Sequence, residues 1–247
     1  MKITLTPEIY FTKVPPTLDM NVRSELYSTN EFTFAVAVIL SAQATDKKVN
    51  EVTPALFAEA PTPEAMLILG EDGLKKHIKV ISFFNNKAKN IIGLAQMLVS
   101  PLLGGNTRGA GEGELPPVSL RETAPLKEGG TWRFPDEYHN QRALMALPGI
   151  GQKTANVVMN VLWGAPMIGV DTHVFRNAHR YGWVGASDDT PEKVEAKLLK
   201  LIPKKYHAMV NHVMVLHGRY TCKALRPRCA DCPVAQWCNA PDKNLPI

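Results

Sequence analysis

The chain has 247 residues, of which 45% are hydrophobic, enough to bury a substantial core as one large domain or two small ones. No run approaches the length of a membrane span, and the N-terminal stretch carries charges and prolines with no apolar h-region, which predicts a soluble globular protein with the cytosol as its default location. Lys and Arg number 28 against 23 Asp and Glu, and the net charge of +5 fits a polyanionic partner.

Most apolar segments repeat at helical spacing and strand-like alternation is scarce, which predicts an all-α protein. Phe32 to Ala42 is apolar on nearly every side and reads as a central helix buried all round. Shorter amphipathic helices are expected around it at roughly 46–59, 63–69, 71–78 and 84–99. Residues 101–133, with Gly104, Gly105, Pro116 and Pro117 among many glycines and prolines, read as an exposed insertion. A domain linker is the weaker alternative there, because the helical pattern resumes at once over 138–147.

The segment Leu147-Pro148-Gly149-Ile150-Gly151-Gln152-Lys153-Thr154-Ala155 closes that helix and opens another over 152–163. Two glycines permit a hairpin with positive φ values, and without Cβ atoms a phosphodiester can approach the amides of Gly149 and Gly151. An ordinary helix–turn–helix corner carries the same signature. Lys153 falls in the first turn of the new helix, where the helix dipole and partial burial would disfavour its ammonium form. A neutral amine there can attack a sugar C1′ and form a Schiff base. Asp171 follows eighteen residues later, just before a helix at 172–181 that it is suited to cap. A turn at Gly164-Ala165-Pro166 and an extended return would bring it back beside Lys153. Its carboxylate would there stabilise positive charge on a deoxyribose or take a proton from the amine. Helices at 191–201 and 205–219 complete the pattern.

All four cysteines lie in one C-terminal stretch, with Cys222, Cys229, Cys232 and Cys238 separated by six, two and five residues. Such clustering makes a local metal or cluster site. Four-cysteine zinc sites usually show two short pairs; one short pair flanked by longer gaps favours a [4Fe–4S] cluster. A disulfide framework would instead spread its cysteines through a small secreted domain. Lys223, Arg226 and Arg228 stand between the first two cysteines on a segment too short to bury three charges, and face either a phosphate strand or solvent. Arg219 and Lys193 are weaker candidates on helix surfaces.

Leu-Pro-Gly-Ile-Gly-Gln-Lys-Thr-Ala-Asn, Val-Asp-Thr-His-Val-Phe-Arg and the cysteine loop, in this order, resemble the helix–hairpin–helix DNA glycosylases. Leu40 to Asp46, Asn86 to Ile91 and Leu216 to Cys222 resemble further segments, so the likeness covers most of the chain. It implies two all-α domains flanking a DNA-binding cleft. One is a six-helix barrel domain at 30–165 that holds the helix–hairpin–helix (146–156) and the insertion; the other is an iron–sulfur domain from 1–29 plus 166–247.

The same resemblance implies a bifunctional glycosylase and abasic-site lyase that excises oxidised pyrimidines from duplex DNA, with Lys153 as nucleophile and Asp171 as its carboxylate partner. Cys222, Cys229, Cys232 and Cys238 match the [4Fe–4S] ligands. Gln43 matches a glutamine that enters the duplex near the estranged base. Phe83 lies where relatives carry a leucine wedge, and this departure leaves it either an aromatic wedge or part of the core. A monomer in a bacterial-type cytoplasm, associated with the nucleoid, is implied. Two other readings are a monofunctional mismatch glycosylase, which would release a base without strand scission, and a non-enzymatic DNA-binding module with a sensing cluster.

Overall fold

The computed structural model describes residues 4–18, 24–99 and 132–244. The proposed insertion at 101–133 therefore lies outside the described residues except for Trp132 and Arg133. Among the described residues the structure is helical with no strand. The α-helices in chain order are α1 (Pro7–Lys13), α2 (Glu31–Ser41), α3 (Asp46–Glu59), α4 (Pro63–Ile78) and α5 (Phe84–Val99). There follow α6 (Gln141–Met145), α7 (Gln152–Trp163), α8 (Thr172–Arg180), α9 (Pro191–Leu201) and α10 (His207–Tyr220).

Local chemistry sets most of these boundaries. Helices α1, α4 and α9 each begin with a Thr-Pro pair: the side chains of Thr6, Thr62 and Thr190 accept from the amides of Ile9, Ala65 and Lys193. The proline that follows each threonine pre-sets φ at a position whose amide has no helical partner. The expected break between 63–69 and 71–78 is a kink within α4, where Gly70 adopts φ 69°. Helix α7 ends at Gly164, φ 65°, whose amide donates to Asn160 O at 3.0 Å while Ala165 donates to Met159 O at 3.1 Å. That pair of bonds satisfies carbonyls the helix leaves open.

The chain divides into two compact units, Leu26–Gly149 and Met1–Glu25 with Ile150–Ile247. In the first, every residue of α2 from Phe32 to Leu40 is buried, as its continuous apolar run requires. The segment after the insertion closes over this helix: Glu31 N donates to Trp132 O, and Phe134 N to the Glu31 carboxylate at 2.9 Å.

The second unit groups α7 with α1 and α8–α10, whereas the sequence reading drew its boundary after residue 165. The reason is a set of amides on α7. Asn156 Nδ2 donates to Ile168 O at 3.2 Å, and Asn160 Nδ2 donates to Ala165 O, Met167 O and His207 O. Helix α1, which the sequence reading did not anticipate, docks Tyr10 against Tyr181, Trp183 and His217. Trp183 Nε1 donates to Leu5 O at 2.8 Å, and Leu5 N donates to Trp237 O at 3.0 Å, so the N-terminal segment is laced to the cysteine loop. Among the described residues no helix is long and apolar enough to cross a membrane.

Candidate active site and cysteine loop

The two glycines of the hairpin have different structural roles. Gly149 adopts φ 80°, and a Cβ there would sit 2.9 Å from Asn90 Cβ and 3.3 Å from Ile39 Cδ1. Gly151 is the N-cap of α7 with φ −86°, and a Cβ there would meet nothing within 4 Å. The expectation of positive φ at both glycines is thus corrected: only Gly149 needs it, while Gly151 leaves an open face beside the first amides of α7. Those amides lack intrahelical partners and are suited to an anion.

Lys153, two residues beyond Gly151, is exposed and not partly buried. The return segment runs back along the start of α7. Gly169 packs so closely that a Cβ would sit 2.8 Å from Val157 Cγ2 and 3.4 Å from Lys153 O. Its amide donates to Asn211 Oδ1 at 3.0 Å, which fixes the segment from the α10 side. Asp171 follows two residues later as the N-cap of α8, with Oδ1 accepting from His173 N at 2.9 Å and Val174 N at 2.8 Å. Both bonds fall on the same oxygen. The cap reading and the site reading therefore coexist, because Oδ2 takes no hydrogen bond among the described residues.

Sequence reasoning missed the support beneath Lys153. Glu195 on α9 is buried, and its two oxygens accept from Gln152 Nε2 at 3.0 Å and Asn156 Nδ2 at 2.8 Å. Burial pushes its carboxyl above the usual range, although the two amides oppose that shift. The flanks of Lys153 on α7 are thereby fixed to α9.

Gln43 and Phe83 belong to the other unit. Gln43 is exposed with φ 55°, one residue beyond the C-cap of α2. Phe83 is 63% exposed with φ 58°, immediately before α5, so it is not a core residue. Lys87, which the sequence gave no reason to single out, lies beneath both. It is 5% exposed, and its ammonium donates to Leu40 O at 2.8 Å and Ala42 O at 2.6 Å. Desolvation lowers its pKa from the usual lysine value.

In the cysteine loop, Cys222, Cys229, Cys232 and Cys238 are all free thiols and line one cavity together with His217 and Arg180. No three Cys, His, Asp or Glu side chains among the described residues converge tightly enough to hold a single metal ion. Four free thiols lining one cavity are chemically suited to hold zinc or an iron–sulfur cluster. Each of three sulfurs meets a nitrogen: Cys222 meets Arg180 Nη1 at 3.5 Å, Cys229 the amide of Asn244 at 3.3 Å, and Cys232 meets His217 Nε2 at 3.5 Å. His217 Nδ1 faces the hydroxyls of Tyr10 and Tyr181 at 3.0 and 2.9 Å. If Nδ1 accepts from a tyrosine, the proton rests on Nε2 and points at the sulfur, as a thiolate requires. Burial raises the Cys222 thiol, although Arg180 opposes that shift, and burial pushes Cys232 up to about 11.

Two arginines on α8 hold the first arm of the loop. Arg176 Nη2 donates to Gly218 O and Cys222 O at 2.9 and 3.0 Å, and Arg180 donates to Lys223 O at 2.6 Å and Ala224 O at 3.0 Å. Arg180 also pairs with Asp242. Their four-residue spacing was readable as one helix face, but not what that face grips. Lys223, Arg226 and Arg228 are exposed, and Arg226 adopts φ 50°. Arg228 pairs with Asp231 at 2.8 Å in an exposed pair of the kind worth little in water. Of the weaker candidates, Lys193 is bound to Asp189 at 2.6 Å and Arg219 to Glu25.

Comparison with known proteins places this geometry. Residues 36–204 match the HhH-GPD superfamily base excision DNA repair protein family. The chain is 46% identical over 219 residues to endonuclease III of Rickettsia conorii, covering 89% of each chain. It is 40% identical over 220 residues to endonuclease III of Escherichia coli K12, again covering 89% of each. Among solved structures, a trapped endonuclease III–DNA covalent intermediate with an estranged adenine superposes with a TM-score of 0.73 at 35% identity, covering 96% of this chain and 97% of that one. A non-covalent endonuclease III–DNA complex gives 0.69 at 36% identity, covering 87% and 86%.

Proposed function

The chain belongs to the HhH-GPD superfamily of base excision DNA repair proteins and is a DNA glycosylase with abasic-site lyase activity; from that premise we propose that Lys153 is its nucleophile and Asp171 the carboxylate that serves it. The substrate is duplex DNA bearing an oxidised pyrimidine or an abasic site. The observation that supports the reading is the return segment held by Asn156, Asn160 and Asn211, in which Gly169, two residues before Asp171, packs so closely that a Cβ would lie 3.4 Å from Lys153 O.

Lys153 Nζ, once deprotonated, attacks C1′ of the extruded nucleotide. The N-glycosidic bond breaks, and the base leaves with the bonding pair and takes up a proton. The sugar ring opens and the amine is joined to C1′ as a protonated Schiff base. Loss of a proton from C2′ then expels the 3′ phosphate by breaking the C3′–O bond, and hydrolysis of the imine regenerates the lysine. Asp171 accepts the proton from the amine and balances the positive charge on the sugar. The amides at the start of α7, reached over the open face of Gly151, hold a phosphodiester near the reacting sugar.

Gln43 and Phe83 fill the space left by the extruded nucleotide, which offsets part of the cost of unstacking. The exposure of Phe83 supports that role over a core role. Cys222, Cys229, Cys232 and Cys238 fit a [4Fe–4S] cluster, which when bound cross-links the loop through four thiolates. Lys223, Arg226 and Arg228 on that loop contact phosphates. The protein acts as a monomer in the cytoplasm, at the nucleoid.

Borohydride trapping on a duplex with one oxidised pyrimidine tests the assignment. Wild-type protein should form a covalent complex and Lys153→Ala none, whereas equal trapping by the variant, or none by wild type, would remove Lys153 from the chemistry. Base release without strand scission by the wild type would favour the monofunctional reading.

A further inference from the structure

We infer that Lys87 is a positioning residue that holds the Gln43 and Phe83 turns in mutual register, so that both side chains enter the duplex as one preformed wedge. The inference rests on the reading that Gln43 and Phe83 enter DNA.

A nearly fully buried lysine is rare unless it has an anionic partner, and among the described residues no carboxylate pairs with Lys87. Its ammonium instead satisfies Leu40 O and Ala42 O, carbonyls at the C-terminal end of α2 that the helix itself leaves open. The positive charge at that end also complements the α2 dipole. The residue after Ala42 is Gln43, turned to φ 55°. At the other end of the same residue, the Lys87 amide donates to Phe83 O at 3.1 Å, the bond that joins the φ 58° turn to the first turn of α5. One residue thus ties both left-handed turns, by its side chain and by its backbone. Such backbone conformations persist only where the surroundings over-determine them.

The face of α5 that carries Lys87 also carries Asn90 and Gly93 at three-residue spacing. A Cβ on Gly149 would meet Asn90, and one on Gly93 would lie 3.1 Å from Pro148 Cγ. One helix stripe therefore buttresses the wedge turns and the entry to the hairpin.

The test uses full-length protein with its cluster and two duplexes, one with a tetrahydrofuran abasic analogue and one undamaged, read by fluorescence anisotropy. A 2-aminopurine opposite the analogue reports the estranged base. Gln43→Ala with Phe83→Ala should weaken binding to the abasic duplex by about tenfold or more and leave undamaged binding within about twofold. Lys87→Met alone should give a loss of about the same size with the same selectivity, and should add less than about twofold in the doubly substituted background, since positions that act as a unit are non-additive. If Lys87→Met adds its whole effect there, or weakens both duplexes alike, Lys87 is merely structural. If the Gln43/Phe83 variant binds like wild type, the wedge reading itself falls, which is a separate result. Should Lys87→Met not fold, Lys87→Arg carries the test: it keeps the charge but cannot place one nitrogen on both carbonyls. A selective loss on the abasic duplex with altered 2-aminopurine fluorescence upholds the inference, and an equal loss on both duplexes, or none, overturns it.

Discussion

Replacing each hairpin glycine by alanine should separate fold from function within three residues. At Gly149 the left-handed backbone, φ 80°, costs an L-residue about 1–2 kcal/mol. The new Cβ would also lie 2.9 Å from Asn90 Cβ, an atom fixed to the α5 backbone and not a tip that can swing away. Overpacking of this kind adds about 1–3 kcal/mol, giving a total near 2–5 kcal/mol. For a chain of this size that lowers Tm by about 5–15 °C. Gly151→Ala meets open space at φ −86°, so only the N-cap preference for Gly over Ala applies, about 1 kcal/mol, and Tm should fall by no more than about 4 °C. Its cost should appear in binding to an abasic-analogue duplex, weakened by about tenfold as one amide–phosphate contact is blocked. Differential scanning calorimetry and anisotropy titration measure the two effects. A Gly151→Ala protein that melts as low as Gly149→Ala, or a Gly149→Ala protein that melts like wild type, would refute the division of roles.

Asp171→Asn keeps a good N-cap and should leave unfolding stability within about 0.5 kcal/mol of wild type while base release falls by about a hundredfold or more; Asp171→Ala should lose the same activity and about a further 1 kcal/mol of stability. Arg180→Ala removes the donor to Lys223 O and Ala224 O, and should speed loss of iron on dilution, followed by visible absorbance, by several-fold, about the effect of one charged hydrogen bond. Glu195 has a folded-state pKa above its ordinary 4.5, so the stability it contributes is full below 4.5 and is lost as pH rises through the folded value. The Tm of wild type relative to Glu195→Gln should therefore rise as pH is lowered from neutral toward 4.5. A constant difference across that range would show that burial does not govern this carboxyl.

Helix positions and the cysteine loop were legible because their signals are local. The span 46–59 is framed by Thr45 and a periodic apolar face, and the break at Gly70 was visible as a glycine between two such faces. Lys153 and Asp171 could be singled out as candidates from the motif and its spacing, but the amides that hold the segment between them could not. Asn156, Asn160 and Asn211 resemble any polar residue on a helix until the direction of each side chain is known. Lys87 was hidden for the opposite reason: lysine signals exposure, and only the three-dimensional structure shows it spending its donors on another helix's carbonyls. Helix α1 is seven residues long and gains its order from the aromatic packing of Tyr10, which sequence periodicity does not report.

The non-glycine residues with positive φ among the described residues are Gln43, Phe83 and Arg226, each of them a proposed DNA contact. A glycine at any of the three would relieve about 1 kcal/mol or more of backbone strain in the free protein. Variants chosen for heat resistance alone would accordingly drift toward glycine at 43, 83 and 226 and lose their grip on damaged DNA, so directed evolution of this scaffold has to select for lesion binding in every round.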